Sequence, residues 1–213
     1  MANLLIITQK VDERDDLLGF FVGWLSELAN YFDHIYVITL FEGSHHLPAN
    51  VSVYSLGKEK GSSKLTQAFR FYKLLFQLTP KVKSVFAHMS PIFVIVAWPV
   101  ALIFKKKIFL WYLHRSLTLR LRIAEKLVKA IITASGDSLT LKSSKIMAIG
   151  HGIDTDRFKK ARDWPSRRGP WRLISVGRIA RIKSYETLIN AMAEIPDVEL
   201  SIIGRPILPE HHE

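Results

Sequence analysis

The sequence contains no cysteine. That excludes a disulfide framework, a cysteine-ligated zinc site and a thiol nucleophile, and it suits a reducing compartment. A hydrophobic run long enough to span a bilayer is missing too. The longest, IFVIVAWPVALIF from Ile92 to Phe104, has 13 residues with Pro99 inside it. A spanning helix needs roughly 20. No basic leader precedes Leu4-Leu5-Ile6-Ile7, so that run reads as a buried strand and not as a signal peptide. There is no P-loop and no GxGxxG, which leaves a kinase or a dinucleotide-dependent dehydrogenase without support.

What is present describes a folded α/β protein. The chain has 213 residues, 48% hydrophobic and 11% aromatic, which excludes disorder and allows a large core. With 30 Lys and Arg against 19 Asp and Glu, the formal charge is +11. Such a surface attracts polyanions: nucleic acid, anionic headgroups or a phosphorylated small substrate. The basic residues are scattered over several helical stretches and no nucleic-acid motif accompanies them, so nucleic acid is set aside. Lys105-Lys106-Lys107 directly after the long apolar run fits an anionic membrane surface.

Apolar runs without polar alternation mark strands covered on both faces. They fall at Leu4–Thr8, Ile35–Leu40, Val51–Ser55, Ser84–His88, Ile108–His114, Ala130–Ala134 and Ile146–Ile149. Helical spacing occupies Leu17 to Phe32, Ser62 to Leu78 and Leu117 to Val128, and Ile92 to Phe104 reads as a buried helix. In the second of these, Leu65, Ala68, Phe69, Tyr72, Leu75 and Phe76 form the expected apolar stripe. The alternation predicts a Rossmann-like, doubly wound parallel sheet, with ligands beyond the carboxyl ends of its strands.

The expected organisation is a first domain over 1–158, a linker over 159–171 (KKARDWPSRRGPW) and the start of a second Rossmann-like domain over 172–213. That second part has a strand at Arg172–Val176, a helix carrying Tyr185, Leu188, Ile189, Met192 and Ile195, and a strand at Val198–Ile203. One such unit cannot cover both faces of its own sheet, so the second domain is expected to be incomplete in this chain.

The most specific segment is Ser175-Val176-Gly177-Arg178-Ile179-Ala180-Arg181-Ile182-Lys183-Ser184. A strand ends at Gly177 and a helix begins near Ser184, whose hydroxyl is a good N-cap. Free amides at the helix start, with Arg178 and Lys183 beside them, suit a diphosphate. This GR-x4-K segment resembles the donor-domain signature of the group 1, or GT4-type, GT-B glycosyltransferases, with Ser184 where that pattern commonly has glycine. A second resemblance lies upstream: Gly150-His151-Gly152-Ile153-Asp154-Thr155-Asp156-Arg157-Phe158 is similar to the NGVD-T-x-RF segment that closes the family's first domain, with His151 in place of Asn.

The resemblance implies two Rossmann-like domains facing across a cleft, the first binding an acceptor and the second a nucleotide sugar. It implies transfer of the sugar with retention of anomeric configuration and without a metal or other cofactor. The donor would be a UDP-, GDP- or other nucleoside-diphosphate sugar. The acceptor would be a saccharide or a lipid-linked saccharide, reached on the cytoplasmic face of a membrane. By this resemblance Arg178 and Lys183 contact the diphosphate and His114 contacts the reacting sugar. Gly19, the one glycine of the acidic loop QKVDERDDLLGF, approaches the phosphate through its backbone, and His88 points at the cleft. The family's E-x7-E element would lie downstream of Gly204 and is not in the chain. A chain without it is expected to turn over weakly or to serve as a non-catalytic binding module.

Three features read as decoys. Gly136-Asp137-Ser138-Leu139 spells the GDSL of an esterase class, but no later Asp has a His three residues on. It reads as the opening of a short helix capped by Ser135 or Asp137. Asp154-Thr155-Asp156 reads as loop hydrogen bonding, not as a metal-binding DxD. His45-His46 and His211-His212 lack partners at metal spacing.

Overall fold

The unalternating apolar runs form the strands of one parallel sheet. The structure, a computed structural model, describes residues 2–153, 155–156 and 170–206. The chain divides into two compact units, Met1–Ile153 and Asp154–Glu213. Most of the expected linker, with Asp154, Arg157, Phe158 and the His211-His212 pair, lies outside the described residues.

In the first unit the elements run β1 (Leu4–Val11), α1 (Phe20–Ala29), β2 (Ile35–Glu42), β3 (Val51–Ser55), α2 (Lys64–Leu78), β4 (Ser84–His88), α3 (Pro91–Ile103), β5 (Lys107–Trp111), α4 (Leu119–Leu127), β6 (Ala130–Thr133) and β7 (Ile146–Ala148). All seven strands are parallel, in the order β3-β2-β1-β4-β5-β6-β7. The chain starts in the middle, builds outward through β2 and β3, then returns to build the other side from β4. The order reverses between β1 and β4, the position where such sheets leave a crevice.

The period-2 alternation of β1 divides the core. Leu5 and Ile7 face a cluster closed by α2, α3 and α4, whereas Leu4 and Ile6 face a smaller one closed by α1. Helix α1 buries Phe21, Val22, Leu25 and Ala29, and its larger side chains contribute about 1.5–3 kcal/mol each. No helix joins β2 to β3. Residues 43–50 cross on the α1 side, held by Asn50, whose Nδ2 donates to the carbonyls of Ala29 (2.8 Å) and Phe32 (3.1 Å).

Three local expectations need correction. Helix α2 turns Phe71, Leu75 and Leu78 to the core, so of the predicted stripe Leu75 is buried and most of the rest stays outside: Leu65 is 85% exposed and Phe69 72%, with Tyr72 and Phe76 also exposed. Strand β5 ends at Trp111, so His114 lies three residues past the strand and not at its tip. Gly136–Ser138 is a single 3-10 turn without a side-chain cap, not the start of a helix.

The second unit contains β8 (Trp171–Val176), α5 (Tyr185–Ala193) and β9 (Val198–Ile203), with β8 and β9 parallel and paired from Trp171↔Val198 to Val176↔Ile203.

Candidate functional site

His88, Trp111 and Thr133 are the last residues of the adjacent strands β4, β5 and β6. Each carries a buried polar atom with no partner among the described residues: His88 Nε2, Trp111 Nε1 and Thr133 Oγ1. Buried polar atoms are nearly always satisfied. Three unsatisfied ones in a row give the carboxyl-end rim of the sheet unused hydrogen-bonding capacity. The fourth such atom, Thr79 Oγ1, lies elsewhere.

Aromatic rings surround the first two. The His88 imidazole lies flat on Phe21, centroids 3.7 Å apart and planes 10° apart. Trp24 stands edge-on to Trp111 at 4.9 Å. His151 approaches Trp24 (5.5 Å), Trp111 (6.0 Å) and the exposed Phe20 (6.0 Å). Thr8 Oγ1 and His88 Nδ1 are 3.0 Å apart across β1 and β4. Burial pushes the His88 pKa down from 6.5 to about 3, so the ring is neutral near neutral pH. It acts as a hydrogen-bonding group and not as a cation. Met89, next in sequence, has φ +63°, and its N–H donates to the Trp111 carbonyl at 2.9 Å. A non-glycine residue in that conformation stores strain, which the neighbouring strand holds in place.

The loop after β1 is rich in acid, and two of its carboxylates, Asp15 and Glu13, are held by specific partners. Asp15 Oδ1 accepts the N–H groups of Leu17 (2.9 Å) and Leu18 (2.7 Å), and Asp15 Oδ2 accepts from Lys10 Nζ at 2.6 Å. Partial burial raises the Asp15 pKa, yet these bonds outweigh it and hold the carboxyl below its ordinary value. Glu13 pairs with His46 at 3.1 Å. Gly19 is glycine for a steric reason, because a Cβ there would come within 2.6 Å of the Asp15 carbonyl. Its own N–H donates to that carbonyl at 3.0 Å. A phosphate contact through this amide therefore requires that bond to open.

His114 is exposed, with its ring 5.7 Å from Tyr112. The segment carrying it is stapled to the next loop: Arg115 Nε donates to the Asp137 carbonyl (3.0 Å) and Thr140 Oγ1 donates to the Arg115 carbonyl (2.6 Å). The Ser138 hydroxyl pairs with Ser135 at 2.9 Å and not with a histidine. Among the described residues no group of three or more His, Asp or Glu side chains could hold a metal.

In the second unit, β8 runs into Gly177 and Arg178, a 3-10 turn occupies Arg181–Lys183, and α5 follows. Lys183 folds back over Gly177, where a Cβ would lie 3.5 Å from Lys183 Cε and 3.8 Å from Nζ. Tyr185 Oη donates to the Gly177 carbonyl at 3.2 Å. Arg178 and Lys183 are both exposed and, among the described residues, form no ion pair. Ser184 does not cap α5 through its hydroxyl. It sits at φ +48°, ψ +45°, the left-handed conformation that glycine adopts without cost. That is the physical content of the glycine at this place in the resembling pattern.

The two imidazoles named from sequence therefore do not share a cluster: His88 joins the aromatic group and His114 stays outside it. Sequence reading missed Thr8, Phe20, Phe21, Trp24, Trp111 and His151 as a group. Phe20-Phe21 with Trp24, opening the helix after the first strand, was the available signal.

The fold is one found in solved proteins. HepE of Anabaena, solved in complex with UDP, matches with a TM-score of 0.70 at 17% identity, over 98% of this chain and 62% of that one. The lipopolysaccharide outer core galactosyltransferase WaaB matches with 0.62 at 14%, over 95% and 61%. The UDP-GlcNAc 2-epimerase of Methanocaldococcus jannaschii matches with 0.52 at 12%, over 97% and 66%. The chain thus spans about three fifths of the first two. At these identities the likeness is one of fold. No protein-family profile matches the sequence, and no curated protein matches it.

Proposed function

We propose that this chain is part of a glycosyltransferase that uses a nucleoside-diphosphate sugar and transfers the sugar with retention and without a metal. The observation that carries the reading is the Lys183 ammonium lying over Gly177, at the carboxyl end of β8 and beside the start of α5. A cation, a side-chain-free stretch of backbone and unpaired helical amides are what a diphosphate needs. Arg178, one residue on, adds a second positive charge. The fold shared with HepE and WaaB supports the reading.

In this reading Arg178 and Lys183 bind the diphosphate and stabilise its charge as the sugar C1–oxygen bond breaks. That electrostatic effect is the main catalytic contribution. The acceptor oxygen forms the new bond to C1, and its proton leaves with the diphosphate. His114 contacts the reacting sugar. Gly19 approaches the phosphate through its backbone once its bond to the Asp15 carbonyl opens, and neutral His88 with the rim formed by Trp111 and Thr133 belongs to the side that takes a saccharide or lipid-linked acceptor. A non-catalytic binding module is the second reading.

Calorimetric titration with UDP, GDP and their sugars tests the assignment. Binding of at least one nucleotide is expected, weakened about tenfold or more by Arg178→Ala or Lys183→Ala, in line with the loss of one charged hydrogen bond. Absence of binding by every nucleotide, or binding indifferent to both substitutions, overturns it. Product analysis then separates transfer from epimerisation, which the same fold also houses.

A further inference from the structure

The stripe that α2 leaves uncovered belongs to a larger apolar face. Leu65, Phe69, Tyr72 and Phe76 recur at spacings of four, three and four, a single line along the helix. Arg70, Lys73 and Leu74 occupy the other flank, toward Val53 and Tyr54 of β3. The stripe is thereby turned to α3, and Phe76 meets Phe104 edge-on at 6.3 Å. Helix α3 has no charged side chain and leaves Leu102 and Ile103 exposed; α4, packed against it, exposes Leu119. Large exposed apolar side chains gathered on three neighbouring helices mark a contact surface.

Charge identifies the contact. From residue 60 to residue 136 the sequence has 14 Lys and Arg and a single acidic residue, Glu125. The Glu125 carboxylate is engaged, accepting the Ser143 hydroxyl at 2.7 Å. The stretch of chain that carries the apolar face is therefore rich in cations and almost without acidic residues. A two-fold contact with another copy would set those cations against themselves. A nucleic acid would use the cations but leave leucine and isoleucine against water. An anionic bilayer surface satisfies both, with acyl chains for the apolar stripe and headgroups for Lys and Arg. No helix among the described residues is long and apolar enough to cross the bilayer, so the contact is with its surface.

We propose that the α2–α3–α4 face docks on the surface of an anionic lipid bilayer, with the Leu65–Phe69–Tyr72–Phe76 stripe entering the headgroup–acyl boundary. The inference stands apart from the sugar-transfer reading, because it is measured without nucleotide.

The full chain is to be sedimented with vesicles of phosphatidylcholine alone and of phosphatidylcholine mixed with phosphatidylglycerol. Binding to the mixed vesicles, weakened by high salt, is expected. Leu65→Ser/Phe69→Ser should lower partitioning about 10-fold or more, from the loss of two inserted side chains. Because both residues are exposed, circular dichroism should show an unchanged fold. Since the chain lacks cysteine, Phe69→Cys offers one attachment point for an environment-sensitive dye, with Glu27→Cys on α1 as the control. Vesicles should shift the emission at 69 to the blue and leave 27 unchanged. The proposal is overturned by absence of binding, by binding that ignores the double substitution, or by equal shifts at both positions. It is also overturned if sedimentation equilibrium without lipid shows a dimer that the same substitution dissociates.

Discussion

Thr8 and His88 face each other across the reversal point of the sheet, their side chains 3.0 Å apart and both fully buried. The pair ties β1 to β4 where the crevice begins. Thr8→Val keeps the shape but leaves His88 Nδ1 without its partner. The expected cost is about 1–3 kcal/mol, read as a lower denaturant midpoint, with Thr8→Ser recovering most of it.

The same histidine makes the fold acid-sensitive. Its folded pKa is near 3, below its ordinary 6.5. Between those values the unfolded chain takes up a proton that the folded chain refuses, so stability rises with pH through this window and falls on acidification. Well inside the window the slope approaches about 1.4 kcal/mol per pH unit. Urea titrations at several pH values check the slope. Imidazole proton resonances check the cause: His88 should not titrate between about pH 5 and 8.

Trp111→Phe removes a buried indole N–H that has no partner among the described residues. Deleting an unsatisfied donor while keeping an aromatic ring should leave thermal stability within about 1 kcal/mol of the starting protein or raise it. A large loss would show that Nε1 is satisfied in solution.

Gly204→Ala should damage the second unit. A Cβ there would fall 1.8 Å from the Gly177 carbonyl oxygen, backbone against backbone with no flexible side chain to yield. The strand ends must separate, at a cost of about 1–3 kcal/mol or more. Limited proteolysis should cut the variant faster within residues 171–203 than within the first unit.

Ser184 tests the turn into α5. At φ +48° a serine is strained and a β-branched residue more so. Ser184→Gly relieves the strain but loosens the unfolded chain, for a net gain of about 0.5 kcal/mol. Ser184→Val should lose more than about 1 kcal/mol. Thermal melts of the two variants should move in opposite directions.

Much of the sheet was legible because strands covered on both faces have no polar alternation to confuse. The limits Val51–Ser55, Ser84–His88 and Val198–Ile203 are the same in sequence and structure. Helix α2 was read with its buried face too far round the helix, only Leu75 of the expected stripe being buried, for a physical reason. Periodicity reports that an apolar stripe exists, not whether a protein core or something else covers it. Leu65, Phe69, Tyr72 and Phe76 make the more regular stripe, yet Phe71, Leu75 and Leu78 reach the sheet. The ring cluster was illegible because Trp24, His88, Trp111 and His151 come from four distant segments that only the strand order brings together. Lys183 and Gly177 were legible because a strand–turn–helix passage is local.

Helices α2, α3 and α4 share one flank of the first unit, and the unsatisfied atoms of His88, Trp111 and Thr133 lie at the carboxyl ends of the strands that those helices cover. A molecule resting on that flank keeps these strand ends close to the lipid plane without inserting them. Encounter with a partner anchored in that plane then becomes a search over an area and not through a volume.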